Sequence, residues 1–121
     1  MPKEVVATLN DEKLCKDIFN RVLLDAIDEG FLSLGNLSRE AMFHNLEASF
    51  EIKKEDVPLN LTKFKTFLQT VFGLGTPYLE GIIAKRLCEK LGIDSGKLES
   101  TDLVVCVSEL KRHVLSDGEK I

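Results

Sequence analysis

The sequence predicts an all-α protein, a compact bundle of about five helices around a central helix over residues 77–91. Apolar residues recur at helical spacing in each long segment, and capping residues, glycines and prolines mark the ends of these segments. The chain has 121 residues, of which 44% are hydrophobic, so it can fill one core without a metal ion or disulfides. We therefore expect one helical domain over residues 1–121.

The first helix is predicted from Asp11 to about Glu29, with Asn10 as its N-cap. Its apolar positions follow helical spacing: Leu14, Cys15, Ile18, Phe19, Val22, Leu23, Ala26 and Ile27. Gly30 is expected to end or bend this helix. For residues 1–10 an extended arm and an early helical turn both stay open, because the apolar pattern there is short.

The second helix is predicted to begin near Asn36 or Ser38, after a turn at Gly35. One side of this helix carries its apolar residues, Met42, Phe43, Leu46 and Phe50. His44 falls on the opposite side, which faces water, so we expect neither a ligand role nor a catalytic role for it.

A polar connection over residues 51–58 follows, and in it only Ile52 and Val57 need burial. Asn60 is the predicted cap of the third helix, which covers residues 61–72. The apolar residues of this helix lie within an arc of about 140°, so the helix should bury one face. These residues are Phe64, Phe67, Leu68, Val71 and Phe72.

The central helix is predicted over residues 77–91, with Thr76 as its N-cap and Pro77 at its first position. Apolar residues cover roughly 240° of its circumference, so the helix should pack against several neighbours. Gly92 followed by Ile93 is typical of a Schellman stop.

The extension over residues 93–121 is predicted to add one further helix, capped by Ser100, Thr101 or Asp102. Residues 103–107 are also rich in β-favouring side chains, so a strand is the alternative there. Helical spacing of four apolar residues favours the helix. They are Leu103, Val107, Leu110 and Val114.

Charge and composition argue against several classes of partner. The net charge of −4 disfavours nucleic acid and anionic membranes, which attract basic surfaces. The first ten residues lack the basic start and apolar run of a signal peptide, and no apolar stretch reaches the roughly 20 residues that span a bilayer. We therefore expect a cytoplasmic protein without a nucleic-acid or membrane partner.

The chain also offers few groups for catalysis or metal binding. Cys15, Cys88 and Cys106 lie far apart among apolar neighbours, so we expect reduced thiols in the core. No spacing of His and Cys indicates a metal site, and no cofactor is expected. An enzyme would need His44 or His113 to converge on a carboxylate.

The segment from Gly73 to Gly75 precedes a helix, and such an end can bind phosphate. A dinucleotide fingerprint needs a preceding strand and a third glycine, and a P-loop needs Gly-Lys-Ser/Thr, whereas this chain has a helix before and Thr76-Pro77 after. The two glycines are therefore interpreted as a tight connection between helices.

Three residues of the central helix stand out. Glu80 lies inside its apolar arc, where a carboxylate needs a partner: the backbone of the glycine loop, a basic residue of another helix, or a ligand in a pocket. Arg86 also falls among apolar residues. Such a side chain usually extends its aliphatic part along apolar neighbours and keeps its charged group in water. Gly81 costs the helix about 1 kcal/mol relative to Ala, so we expect close approach of another helix, from this chain or from a second copy.

Several segments in order resemble a family of small archaeal helical domains, the NitrOD-type signalling output domains. The resemblance covers residues 24–92. It is carried by Leu24-Asp25-Ala26-Ile27-Asp28-Glu29-Gly30, Leu34-Gly35, Leu46-Glu47 with Phe50, Ile52-Lys53-Lys54-Glu55-Asp56-Val57-Pro58, Phe72-Gly73 with Gly75, Glu80 and Leu91-Gly92. It implies a compact α-helical domain that follows sensor or receiver domains in relatives and passes a signal on by contact. The family has no established catalytic residues, so the resemblance assigns none here.

Together these observations predict a non-enzymatic protein-interaction module, regulatory or signalling, that binds a protein partner or associates with itself. The alternative is a small-ligand-binding protein with a pocket near Glu80 and the Gly73–Gly75 loop.

Overall fold

The computed structural model describes residues 2–98, 100 and 102–120, and the side chains of residues 15–96, 98, 100 and 102–114. The five α-helices are α1 (Pro2–Leu32), α2 (Asn36–Phe50), α3 (Leu61–Phe72), α4 (Thr76–Leu91) and α5 (Leu103–Lys120). Short 3-10 helices at Lys54–Leu59, Gly73–Gly75 and Ser95–Lys97 lie in the connections. The prediction of an all-α bundle is confirmed, and residues 103–107 belong to a helix. Within the described residues, no helix has both the length and the apolarity needed to cross a bilayer.

Helix α1 is longer than its apolar pattern predicts. No glycine or proline interrupts residues 3–29, so nothing in the backbone stops the helix there. The prediction that Asn10 caps the helix is therefore wrong, because the helix already runs through it. Cys15 is exposed on this helix, so the prediction that it lies in the core is wrong.

Gly30 lies inside α1 and does not end it. It is buried, and a Cβ added to it would lie 2.6 Å from Cγ1 of Ile83 on α4. The absence of a side chain allows α1 and α4 to approach closely at this point. The chain turns only after Leu32, where Gly35 adopts a φ of +112° and leads into α2.

The core lies between α1 and α4, with α2, α3 and α5 packed around this pair. Helix α4 contacts α1, α3 and α5, while α1 contacts α2, α4 and α5, so the two helices share the central position. Aromatic pairs join three of the elements: the rings of Phe31 and Phe43 are 5.2 Å apart and those of Phe50 and Phe67 are 5.5 Å apart.

The connection before α3 is buried where the sequence predicts. Ile52 and Val57 are in the core, and the rest of residues 51–59 lies at or near the surface. Asn60 precedes α3 as predicted, but its side chain does not cap that helix. Its Nδ2 donates instead to the carbonyl oxygen of Asp56, at 2.9 Å.

Helix α4 ends in the predicted Schellman motif. Gly92 adopts a φ of +71°, and the N–H of Ile93 donates to the carbonyl of Cys88 at 2.9 Å. This stop directs the chain toward α5.

Candidate functional site

Glu80 is a buried carboxylate that α4 presents to the first residue of α5. It is 3% exposed, and its Oε2 accepts a hydrogen bond from the N–H of Leu103 at 3.0 Å. The N–H groups at the start of a helix have no partner inside that helix, and the helix dipole favours an anion there. Glu80 therefore stabilises the N-terminus of α5 from a neighbouring helix.

Lys65 of α3 lies between two carboxylates. Its Nζ is 3.8 Å from Oε2 of Glu80, and it donates a hydrogen bond to Oδ2 of Asp102. The other oxygen of Asp102 accepts the N–H of Val104 at 2.9 Å, so Asp102 is the N-cap of α5, one of the three predicted candidates. We call Lys65, Glu80 and Asp102 the polar cluster. It connects α3, α4 and α5 at one point.

The polar cluster shifts the titration of two of its members. The hydrogen bond from Lys65 holds the pKa of the Asp102 carboxyl below its ordinary value. That hydrogen bond, and the negative charge of Glu80, raise the pKa of the Lys65 ammonium. Each shift favours the charged form, so the ion pair persists across the neutral range.

We expect Asp102→Asn to lower the free energy of unfolding by up to about 1 kcal/mol at pH 7, and by less in acid. Because the pKa of Asp102 is lower in the folded state, its charge stabilises the fold above the unfolded pKa of about 3.9. That contribution is lost as the pH falls through the folded pKa. Asn retains one oxygen that can accept from Val104, so the variant keeps the cap and removes the charge together with the hydrogen bond from Lys65.

Urea denaturation at pH 7 and near pH 2.5 measures this difference. Asp25→Asn is the matched control, since Asp25 is exposed on α1. A gap between wild type and Asp102→Asn that stays constant down to pH 2.5 would contradict the assignment.

The thiols near the polar cluster are poor nucleophiles. Burial raises the pKa of Cys106 to about 11, and its Sγ donates to the carbonyl of Ser100 at 2.8 Å. Burial also raises the pKa of Cys88. Both groups are neutral thiols at pH 7, as expected of core cysteines.

The junction of α3 and α4 is a tight turn. Gly73 adopts a φ of +54°, which favours glycine. Thr76 was predicted to cap α4, and this is wrong: its buried hydroxyl donates to the carbonyls of Leu68 at 3.1 Å and Gly73 at 2.8 Å. Thr76 thus ties the first turn of α4 to the end of α3.

This turn exposes large apolar side chains. Leu74 is 102% exposed, Tyr78 is 75% exposed and Val71 is 42% exposed, although the pattern of α3 placed Val71 on the buried face. The exposed residues of the range 66–84 carry no charge, because its one charged residue, Glu80, is buried, and the exposed Lys85 follows one turn after Gly81. We name the apolar surface at this turn the junction surface, formed by Val71, Leu74, Pro77, Tyr78, Gly81 and Ile82.

Neither Gly81 nor Arg86 lies at a tightly packed contact between helices. In the part of the chain that the structure describes, nothing lies within 4 Å of a Cβ added to Gly81, so the predicted close approach by a helix of the same chain is wrong. That approach occurs at Gly30. Arg86 is at the surface, where its Nη1 lies 3.6 Å from Oε1 of Glu29 on α1.

A cleft of about 240 Å³ lies between the end of α4 and α5. It is smaller than the roughly 300–1,000 Å³ of most ligand sites. Neither Glu80 nor the Gly73–Gly75 turn, where the sequence placed a ligand pocket, lines this cleft. Its walls are Gly92, Ile93, Asp94, Leu98, Glu109, Leu110 and His113.

The two histidines occupy different surroundings. His113 lines the cleft together with Asp94 and Glu109, whereas His44 is exposed on α2 as predicted. Among the described side chains, the lining of this cleft includes no serine, threonine or cysteine that could act as a nucleophile. No group of three His, Cys, Asp or Glu residues within the described side chains is placed to hold a metal ion.

Two features of the site were not recognised in the sequence. The role of Lys65 leaves no local signal, since its partners are 15 and 37 positions away along the chain. The exposure of Leu74 and Tyr78 did have a signal in the sequence, because residues 66–79 contain no charged residue in a chain that is 30% charged.

A comparison of the chain with protein-family models, with curated proteins and with solved structures finds no significant match. The resemblance to NitrOD-type output domains therefore stays a prediction.

Proposed function

We propose that this protein is a non-enzymatic interaction module, of a regulatory or signalling kind, that binds a protein partner through the junction surface. The observation that carries the proposal is the full exposure of Leu74 beside Tyr78, in a segment from residue 66 to residue 84 whose exposed residues carry no charge. Exposed apolar residues that cluster, with charge depleted and a tyrosine present, are typical of protein interfaces.

The surroundings of the junction surface support a binding role because they hold it in one shape. The Thr76 hydroxyl ties the turn to α3, and α4 is joined to α3 and α5 through the polar cluster. A preorganised surface loses little conformational entropy on binding, which favours affinity.

The chemistry of the buried polar groups supports a role without catalysis. The carboxylates of the polar cluster are paired with Lys65 and with backbone N–H groups, and the buried thiols are neutral at pH 7. These groups position helices, and the groups that face solvent at the junction surface are apolar.

Site-specific photocrosslinking tests the proposal. A photoreactive amino acid at position 78 is expected to form discrete adducts in cells that express the chain, and the same amino acid at position 37 is not. Leu37 is the matched control, since it is 81% exposed but lies on α2, away from the junction. Leu74→Glu should lower adduct yield at position 78 roughly tenfold or more, the size of a hot-spot effect. Equal adducts at both positions, or none at position 78, would refute the proposal.

A further inference from the structure

We propose that α5 is a lid, a helix that opens as a unit while α1–α4 stay folded, and that the polar cluster is the latch that closes it. The proposal does not depend on the junction surface. Three features of the described residues carry it: where α5 is buried, what lies beneath its first turn, and how it is connected to α4.

Helix α5 is attached to the bundle through its first half. Its buried side chains, within the described range, are Leu103, Cys106, Val107 and Leu110. None of residues 111–114 is buried, and the cleft of about 240 Å³ lies between this part of α5 and the end of α4. A helix held by so short an apolar stretch opens at a lower free energy than the central pair of helices, α1 and α4.

The surface beneath the first turn of α5 contains charge, unlike the rest of the core. Glu80 is the only charged residue that is buried among the side chains the structure describes, and it accepts the N–H of Leu103. Burial of a carboxylate costs its hydration, and that hydration is regained when the contact opens. Contacts that open and close are accordingly more polar than permanent ones.

The latch is built so that the open state leaves no charge unpaired. Lys65 belongs to α3 and Glu80 to α4, and their charged atoms lie 3.8 Å apart without any contribution from α5. Asp102 lies just before α5 and is the member of the polar cluster that leaves with the lid. Opening therefore exchanges the contacts of Asp102 and Leu103 for water and keeps the pair on α3 and α4.

The connection between α4 and α5 allows this motion. Helix α4 ends in its own Schellman motif at Gly92, whose hydrogen bonds do not involve α5. No described side chain in the range 93–102 is buried, so the connection is not anchored in the core. Opening uncovers the faces of α1, α3 and α4 that α5 contacts. The chain thus has a second state that a regulatory signal can favour.

Native-state hydrogen exchange of the full chain in a series of low urea concentrations tests the lid. The amides of residues 107–110 should be protected at least about 100-fold less than those of residues 83–87 in α4. Their exchange should also depend less on urea, because opening exposes less surface than complete unfolding. Alkylation of Cys106 is a second readout, since its thiol is buried while the lid is closed.

Glu80→Gln tests the latch. It should speed exchange at residues 107–110 about tenfold, because the charged acceptor of Leu103 is lost. Exchange in α4 should rise by the same factor, since complete unfolding also breaks this contact. Glu89→Gln is the matched control: it makes the same substitution on the exposed side of α4 and should leave exchange in α5 unchanged.

Two results would overturn the lid. In the first, residues 107–110 exchange as slowly as residues 83–87 and with the same dependence on urea, so that α5 leaves only when the whole protein unfolds. In the second, exchange rises gradually from residue 107 toward residue 114, which indicates fraying and not a unit. Equal effects of Glu80→Gln and Glu89→Gln on α5 would overturn the latch.

Discussion

Glu80→Ala is expected to lower the free energy of unfolding by about 3 kcal/mol at pH 7, a large share of the stability of a domain this size. The change leaves the N–H of Leu103 without its acceptor and removes one of the two carboxylates facing Lys65. Glu80→Gln retains an oxygen that can accept from Leu103, so we expect it to cost about half as much. Urea denaturation measures these differences. Circular dichroism is the signal, because the chain has no Trp for fluorescence.

Glu89→Ala is the control for this series, because it changes the same residue type on the exposed side of α4 and should stay within about 0.5 kcal/mol of wild type. Hydrogen exchange adds a local readout: the first-turn amides of α5, from Leu103 onward, should exchange faster in Glu80→Ala. Equal stability of Glu80→Ala and Glu89→Ala would show that the buried carboxylate contributes nothing to the docking of α5.

Gly30→Ala is expected to destabilise the protein by about 2 kcal/mol, although alanine is the better helix former. The added methyl would lie 2.6 Å from Cγ1 of Ile83, which is fully buried and branched at Cβ and so has little freedom to move. Gly81→Ala makes the same substitution on α4 where space is open, and it should stabilise the protein by about 0.5–1 kcal/mol. The two glycines thus predict effects of opposite sign.

A double-mutant cycle identifies the cause. Ile83→Ala removes the atom that the new methyl would meet, so Gly30→Ala should cost little or nothing in that background. Thermal or urea denaturation of the four proteins measures the coupling. If Gly30→Ala costs the same with and without Ile83, the destabilisation does not arise from contact between α1 and α4.

Most of the helical architecture follows from local patterns. The spacing of apolar residues predicted the positions of α2, α3 and α4, because a face that must be buried repeats at the helical period. Backbone chemistry predicted the Schellman stop at Gly92, which depends only on the residues around it. The burial of Ile52 and Val57 was also predicted from the local sequence, because they are apolar residues within a polar connection.

Local patterns were less informative where one signal has two uses. A glycine in a helix marks either the end of the helix or a close approach by another helix, and its sequence context does not distinguish the two. Gly30 was expected to end α1 and Gly81 to lie at a close approach, whereas the close approach occurs at Gly30. A threonine before a helix can cap it or bond backward, and Thr76 bonds backward. The neighbouring helix decides between these uses, and its position is not encoded nearby.

The sequence by itself determined that the chain folds into helices and that Glu80 falls among apolar residues, because both depend on the period of one helix. Only the tertiary structure decided that Lys65, Asp102 and the N-terminus of α5 meet that carboxylate, and that Leu74 and Tyr78 are left in solvent. Partners that are distant along the chain come together by packing of helices whose directions no local pattern specifies. Exposure likewise depends on which neighbours are present to cover a side chain.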